Sequence, residues 1–166
     1  MATTSRTGPA PALTDERLTL VGLLLEVHHG LVKAMDEIHS AHGLLGKEFD
    51  ALLRLARSDQ ARLAMRDLAA QTSTSTSGTT GLVDRLEARG LVTRTQSGAD
   101  RRSFDITLTD AGHRLLLDDV TELLPIIDRL VTDPVGPDAA VVQHALERIR
   151  DVTTPEATTT QHSASS

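Results

Sequence analysis

The 166 residues, 39% of them hydrophobic, suffice for one domain with a real core and are few for two. The chain has no cysteine, which removes disulfides, thiolate zinc sites and thiol catalysis together. Its net charge of −6 argues against a polyanionic partner for the chain as a whole.

That charge is unevenly spread. Between Arg66 and Arg102 six arginines stand against four acids, so an anionic ligand surface belongs in the middle of the chain. Residues 1–12 and 153–166 are rich in Thr, Ser, Ala and Pro and read as disordered tails, leaving 13–152 as the single domain. The tail at 1–12 lacks the apolar core of a signal peptide. The longest apolar run, Leu18 to Val27, is interrupted by Thr19, Gly22 and Glu26 and falls short of the ~20 residues of a bilayer span. The expectation is a soluble cytoplasmic protein with no membrane partner.

From Asp15 to Ala41, apolar residues recur at three and four spacing without a proline, which predicts one long helix. A second is expected over Gly46–Arg57 with Leu45, Phe49, Leu52, Leu53 and Ala56 inward, and a short third over Met65–Gln71. Next comes TSTSTSGTTG, residues 72–81, with the composition of a linker. Against that reading, Thr79, Leu82, Val83 and Leu86 form a helical stripe, and Gly90 with Leu91 supplies a helix stop. A helix capped by Ser75 and ending near Arg89 explains both. Its outer face, centred on Ser77, Gly81, Asp84 and Ala88 with Thr80 and Arg85 at the sides, is small and polar. Such a face suits the floor of a DNA major groove or, equally, plain solvent.

After Arg89 the period changes to two: Val92, Arg94 and Gln96 and then Phe104, Ile106 and Leu108 alternate with polar residues around SGADRR, a two-stranded hairpin. Thr109 caps a helix that carries Leu115 to Ile127, which Pro125 should kink. A last helix opens at Gly136 and Pro137. The expected fold is mainly α with a small β-hairpin wing. A winged helix-turn-helix lobe over 46–109 joins a helical dimerisation region made of 15–41 and 110–151. The flanking helices bear apolar residues on more than one face, which a second copy would cover economically.

LVDRLEARGLVTR (82–94) and DRRSFDITLTDAG (100–112) together resemble the MarR (multiple antibiotic resistance regulator) family of winged helix-turn-helix transcription regulators. The second block is similar to the family's wing signature through Asp100, Arg102, Ile106, Leu108 and Thr109. The resemblance implies a homodimer reading a near-palindromic operator in double-stranded DNA, a ligand-responsive repressor rather than an enzyme. It implies Ser75, Thr76, Ser77, Thr80 and Arg85 on the reading surface, Arg101 and Arg102 at the wing, and Asp100 as the support of Arg102. It further implies a small aromatic or phenolic effector between dimer helices and lobe, with His28, His29, Met35 and His42 as candidate contacts. Thr72 and Thr74 depart from the family by standing where large aliphatics pack the turn. Gly78 and Gly81 stand where Thr and Arg are common, so the reading helix is expected to fray before DNA orders it.

Two other readings follow from the residues. The cluster of His39 and His42 with His28, His29 and His113 raises a divalent-metal sensor, although no ligand spacing fixes a metal site. The chain could also be a helical dimer that binds protein and uses the lobe as scaffold. No nucleophile elbow, His-Glu-x-x-His or phosphate loop is present, and no motif calls for a cofactor.

Overall fold

The computed structural model describes residues 11–72, 74–97 and 103–153. Of the expected tails at 1–12 and 153–166, residues 1–10 and 154–166 lie outside that range, while Pro11–Thr14 makes a single 3-10 turn and Thr153 ends the C-terminal helix. Helix α1, Glu16–Ala41, starts where the Asp15 carboxylate accepts the Arg17 N–H at 2.9 Å. Helix α2 spans Gly46–Arg57, α3 Met65–Gln71, α4 Thr76–Ala88 and α5 Asp110–Ile127, each close to its expected bounds.

The sheet holds one strand more than the sequence indicated. Strand β1, Arg62–Ala64, pairs antiparallel with β3, Phe104–Leu108, whose other edge pairs with β2, Val92–Gln96, in the order β1-β3-β2. Leu63 and Arg94 flank the buried Ile106, and Val92 faces Leu108. Three residues are too few to show an alternation. The turn feeding β1 is also hidden from pattern reading, because Gln60 and Ala61 both take φ near +52° without being glycine.

The core lies in the lobe. Leu52, Leu55, Leu68, Val83, Leu86, Val92 and Ile106 are fully buried where α2, α3, α4 and the sheet meet, and Leu116 and Leu123 of α5 close it. Leu45, expected inward, instead precedes α2 as its N-cap and is exposed, because the α2 stripe begins only at Glu48 and Phe49.

Pro125 does not end α5. The helical path continues to Ile127 and then widens into a π-turn over Asp128–Thr132, closed by the Asp133 N–H on the Asp128 carbonyl. One α-turn, Asp133–Val135, and a 3-10 turn, Gly136–Asp138, lead into the C-terminal helix, Ala139–Thr153.

Within one chain, α1 joins the core near its C-terminal end, through Met35, Ile38 and His39. Leu18, Leu20, Val21, Leu23, Leu25 and Val27 are exposed, as are Leu124 of α5 and Val141, Leu146 and Ile149 of the C-terminal helix. By length and composition α1 could cross a membrane, since an 18-residue window reaches a mean hydropathy of 1.3.

Candidate nucleic-acid interface

Helix α3, a short turn and α4 form a helix-turn-helix, and the threonines of the turn hold it by hydrogen bonds where large side chains were absent. The Thr72 hydroxyl donates to the Leu68 carbonyl at 2.8 Å, the Thr74 N–H to Ala69 O at 3.1 Å, and the Thr74 hydroxyl to Thr72 O at 3.0 Å. Ser75 then caps α4 by accepting the Gly78 N–H at 3.2 Å. The far end closes as a Schellman motif: Leu91 N–H reaches Leu86 O at 3.0 Å, Gly90 N–H reaches Glu87 O at 2.9 Å, and Gly90 has φ +70°. TSTSTSGTTG is therefore the turn and leading half of a helix.

Thr79, Leu82, Val83 and Leu86 are buried as the stripe required, which turns Ser77, Asp84 and Ala88 outward with Thr80 and Gly81 half-buried beside them. Ser75 is exposed at the start of the helix and Thr76 is its first residue. The two helix glycines differ. A Cβ at Gly78 would come within 2.7 Å of Thr74 Cγ2 and 3.2 Å of Ser75 Oγ, so this glycine lets the turn close over the helix start. A Cβ at Gly81 would meet only Arg85 Nη1, at 3.9 Å. Gly81→Ala is accordingly expected to stabilise the fold by about 0.5–1 kcal/mol, read as a higher urea midpoint. Gly78→Ala should lose that gain, and equal midpoints for the two variants would contradict this packing.

The arginines of the region are mostly tied to acids. Arg94 on β2 donates to Asp84 at 2.5 Å, its backbone N–H donates to Glu87 at 3.3 Å, and its guanidinium lies over Phe104. The carboxylate on the outer face of α4 is thus neutralised from the wing side. Arg85 donates through Nε to Glu48 Oε1 at 2.9 Å, and Arg89 donates through Nη1 to Glu48 Oε2 at 3.4 Å and to the Gly43 carbonyl at 2.9 Å. Sequence reading found Arg85 and missed Glu48, which lies 37 residues away with no local pattern linking the two. Asp100, Arg101 and Arg102 fall outside the described residues.

The four candidate effector contacts lie in different surroundings. His28 and His29 are exposed on α1, where His29 borders a shallow groove with Val32, Lys33 and Asp36. Met35 packs against the core, and His42 sits 3.4 Å from Glu122 of α5. His39 points into the core, with Nδ1 2.9 Å from both oxygens of buried Asp119 and its ring stacked on Phe49 at 4.1 Å. Among the described residues no three His, Asp or Glu side chains form a group able to hold a metal ion.

Comparison with known proteins agrees with this geometry. The sequence model of the MarR family matches residues 42–103. The chain is 32% identical over 107 residues to the HTH-type transcriptional regulator PecS of Dickeya dadantii, a match covering 64% of each protein and so less than two thirds of that relative. It is similar to Sco3205, a MarR family transcriptional regulator from Streptomyces coelicolor solved in complex with DNA. The TM-score is 0.76 at 26% identity over 82% of this chain and 86% of that one. It is also similar to CouR from Rhodococcus jostii RHA1 bound to p-coumaroyl-CoA, with a TM-score of 0.72 at 28% identity over 88% of this chain and 97% of that one. These relatives are regulators, not enzymes, and in both sequence and winged helix-turn-helix fold the chain is similar to the MarR family.

Proposed function

We propose that the protein is a cytoplasmic homodimer that binds double-stranded DNA at a near-palindromic operator and represses transcription until a small ligand releases it. The observation that carries this reading is the α3–turn–α4 unit, whose capped second helix presents a small outer face beside the β2–β3 hairpin. A face of Ser77, Gly81 and Ala88 lets a helix approach base edges closely. Ser75, Thr76, Thr80 and Arg85 complete the surface, and Arg101 and Arg102 reach the minor groove from the wing.

The dimer follows from the apolar residues that one chain leaves uncovered, with Leu25 63% exposed and Val141 70% exposed. A second copy laying its α1, α5 and C-terminal helix against them removes that surface from water. The same pairing explains the hydropathy of α1 without a membrane. The effector is an aromatic or phenolic molecule at the junction of these helices and the lobe, contacted by His28, His29, Met35 or His42, as the ligand named for CouR supports. Effector binding lowers operator affinity by favouring a lobe spacing that does not match the two half-sites.

Arg102→Ala is expected to weaken binding by ~1–3 kcal/mol on a duplex selected by the wild-type protein from a randomised pool. Fluorescence anisotropy of the labelled duplex measures this. Unchanged affinity would show that the wing stays off the DNA.

A further inference from the structure

Arg85 is the one basic residue within α4, and its surroundings are unusual for a surface arginine. Its Nε donates to Glu48, a carboxylate only 4% exposed, while the Arg85 side chain is 53% exposed. Glu48 is itself fixed by two further contacts. Its Oε2 accepts the Leu45 N–H at 3.2 Å, which closes the first turn of α2, and Arg89 reaches the same oxygen while bonding Gly43 O. Both of those bonds go to Oε2, so if Arg85 swung away the buried Oε1 would lose its partner among the described residues, which favours keeping Arg85 in place.

Only the Nε edge of the guanidinium is used. Neither terminal amino group of Arg85 has a partner among the described residues, and Nη1 lies over the space left by the missing side chain of Gly81, on the outer face of α4. A guanidinium held by Nε and open at its two Nη groups presents two parallel donors end-on, the shape that matches O6 and N7 of guanine. Because Ser77, Gly81 and Ala88 are small, the helix can sit deep enough for those donors to meet a base edge.

We propose that Glu48 is the positioning residue for Arg85, and that the pair reads one guanine in each half-site. This rests on the DNA-binding reading above. Fixing the side chain before binding lowers the ordering cost of the contact, which corresponds to about a three- to tenfold gain in affinity.

The test uses the full chain, the duplex it selects and a scrambled duplex of equal length. Glu48→Gln keeps the shape and one acceptor oxygen but removes the charge. It should weaken binding to the selected duplex about three- to tenfold, leave the scrambled duplex unchanged, and cost less than twofold more once Arg85→Ala is present. Replacing guanines singly with 7-deazaguanine should reveal one position in each half-site that weakens the wild type and not Arg85→Ala. Arg85→Lys keeps the charge without the fork and carries the same comparison should Glu48→Gln fail to fold. Equal losses on both duplexes, or full additivity with Arg85→Ala, would make Glu48 a support of the fold alone. No distinguishing guanine would place Arg85 on phosphate and overturn the assignment. If the wild type selects no sequence at all, the DNA-binding reading itself falls.

Discussion

Asp119→Ala is expected to cost about 3–5 kcal/mol of folding stability, a large part of the 5–15 kcal/mol that holds a typical domain. Asp119 and His39 are both fully buried, 80 residues apart, with the imidazole nitrogen 2.9 Å from each carboxylate oxygen. His39 also stacks on Phe49, so one contact joins α1, α2 and α5. Removing the carboxylate leaves a buried polar ring without its acceptor, which costs far more than the pair itself contributes. Asp119→Asn, which keeps one acceptor oxygen, should lose less. Replacing both residues by leucine should recover much of the loss. Urea unfolding of the three variants at one pH decides the matter, and a loss below about 1 kcal/mol for Asp119→Ala would contradict the role given to the pair.

Gly112→Ala should destabilise by roughly 1–3 kcal/mol or more, opposite in sign to Gly81→Ala although both glycines lie inside helices. A Cβ at Gly112 would stand 2.2 Å from the Leu91 carbonyl oxygen and 2.7 Å from Leu108 Cδ1. That carbonyl cannot retreat easily, because it accepts both the N–H and the hydroxyl of Thr109 at 3.1 Å. Leu91 is the residue that completes the stop of α4, so the clash would pry the start of α5 from the end of the reading helix. Thermal melts of the two alanine variants give the comparison, and a rise in Tm for both would show that the α5 start has room to shift.

What could be read from the sequence were features written within a few residues of one another. The Ser75 cap, the Gly90–Leu91 stop, the stripe at 79, 82, 83 and 86, and the alternation in 92–96 and 104–108 each carry their own signal. What escaped depends on tertiary placement. Strand β1 pairs with the edge of β3 that β2 leaves open, Leu45 is exposed because it stands before the inward stripe of α2 as its N-cap, and the Glu48 and His39 pairs join distant segments. Gly78 read as a weak point in the helix, whereas in the structure it makes room for Thr74. The reading face was legible residue by residue, but the anchoring of Arg85 was not.

The most direct test of the central claim is hydroxyl-radical footprinting of the wild-type protein on the duplex it selects from a randomised pool, repeated across salt concentrations. The expected result is two symmetric protected patches about one helical turn, ~34 Å, apart, with affinity falling steeply as salt rises. Uniform weak protection with no preferred sequence at physiological salt would contradict it.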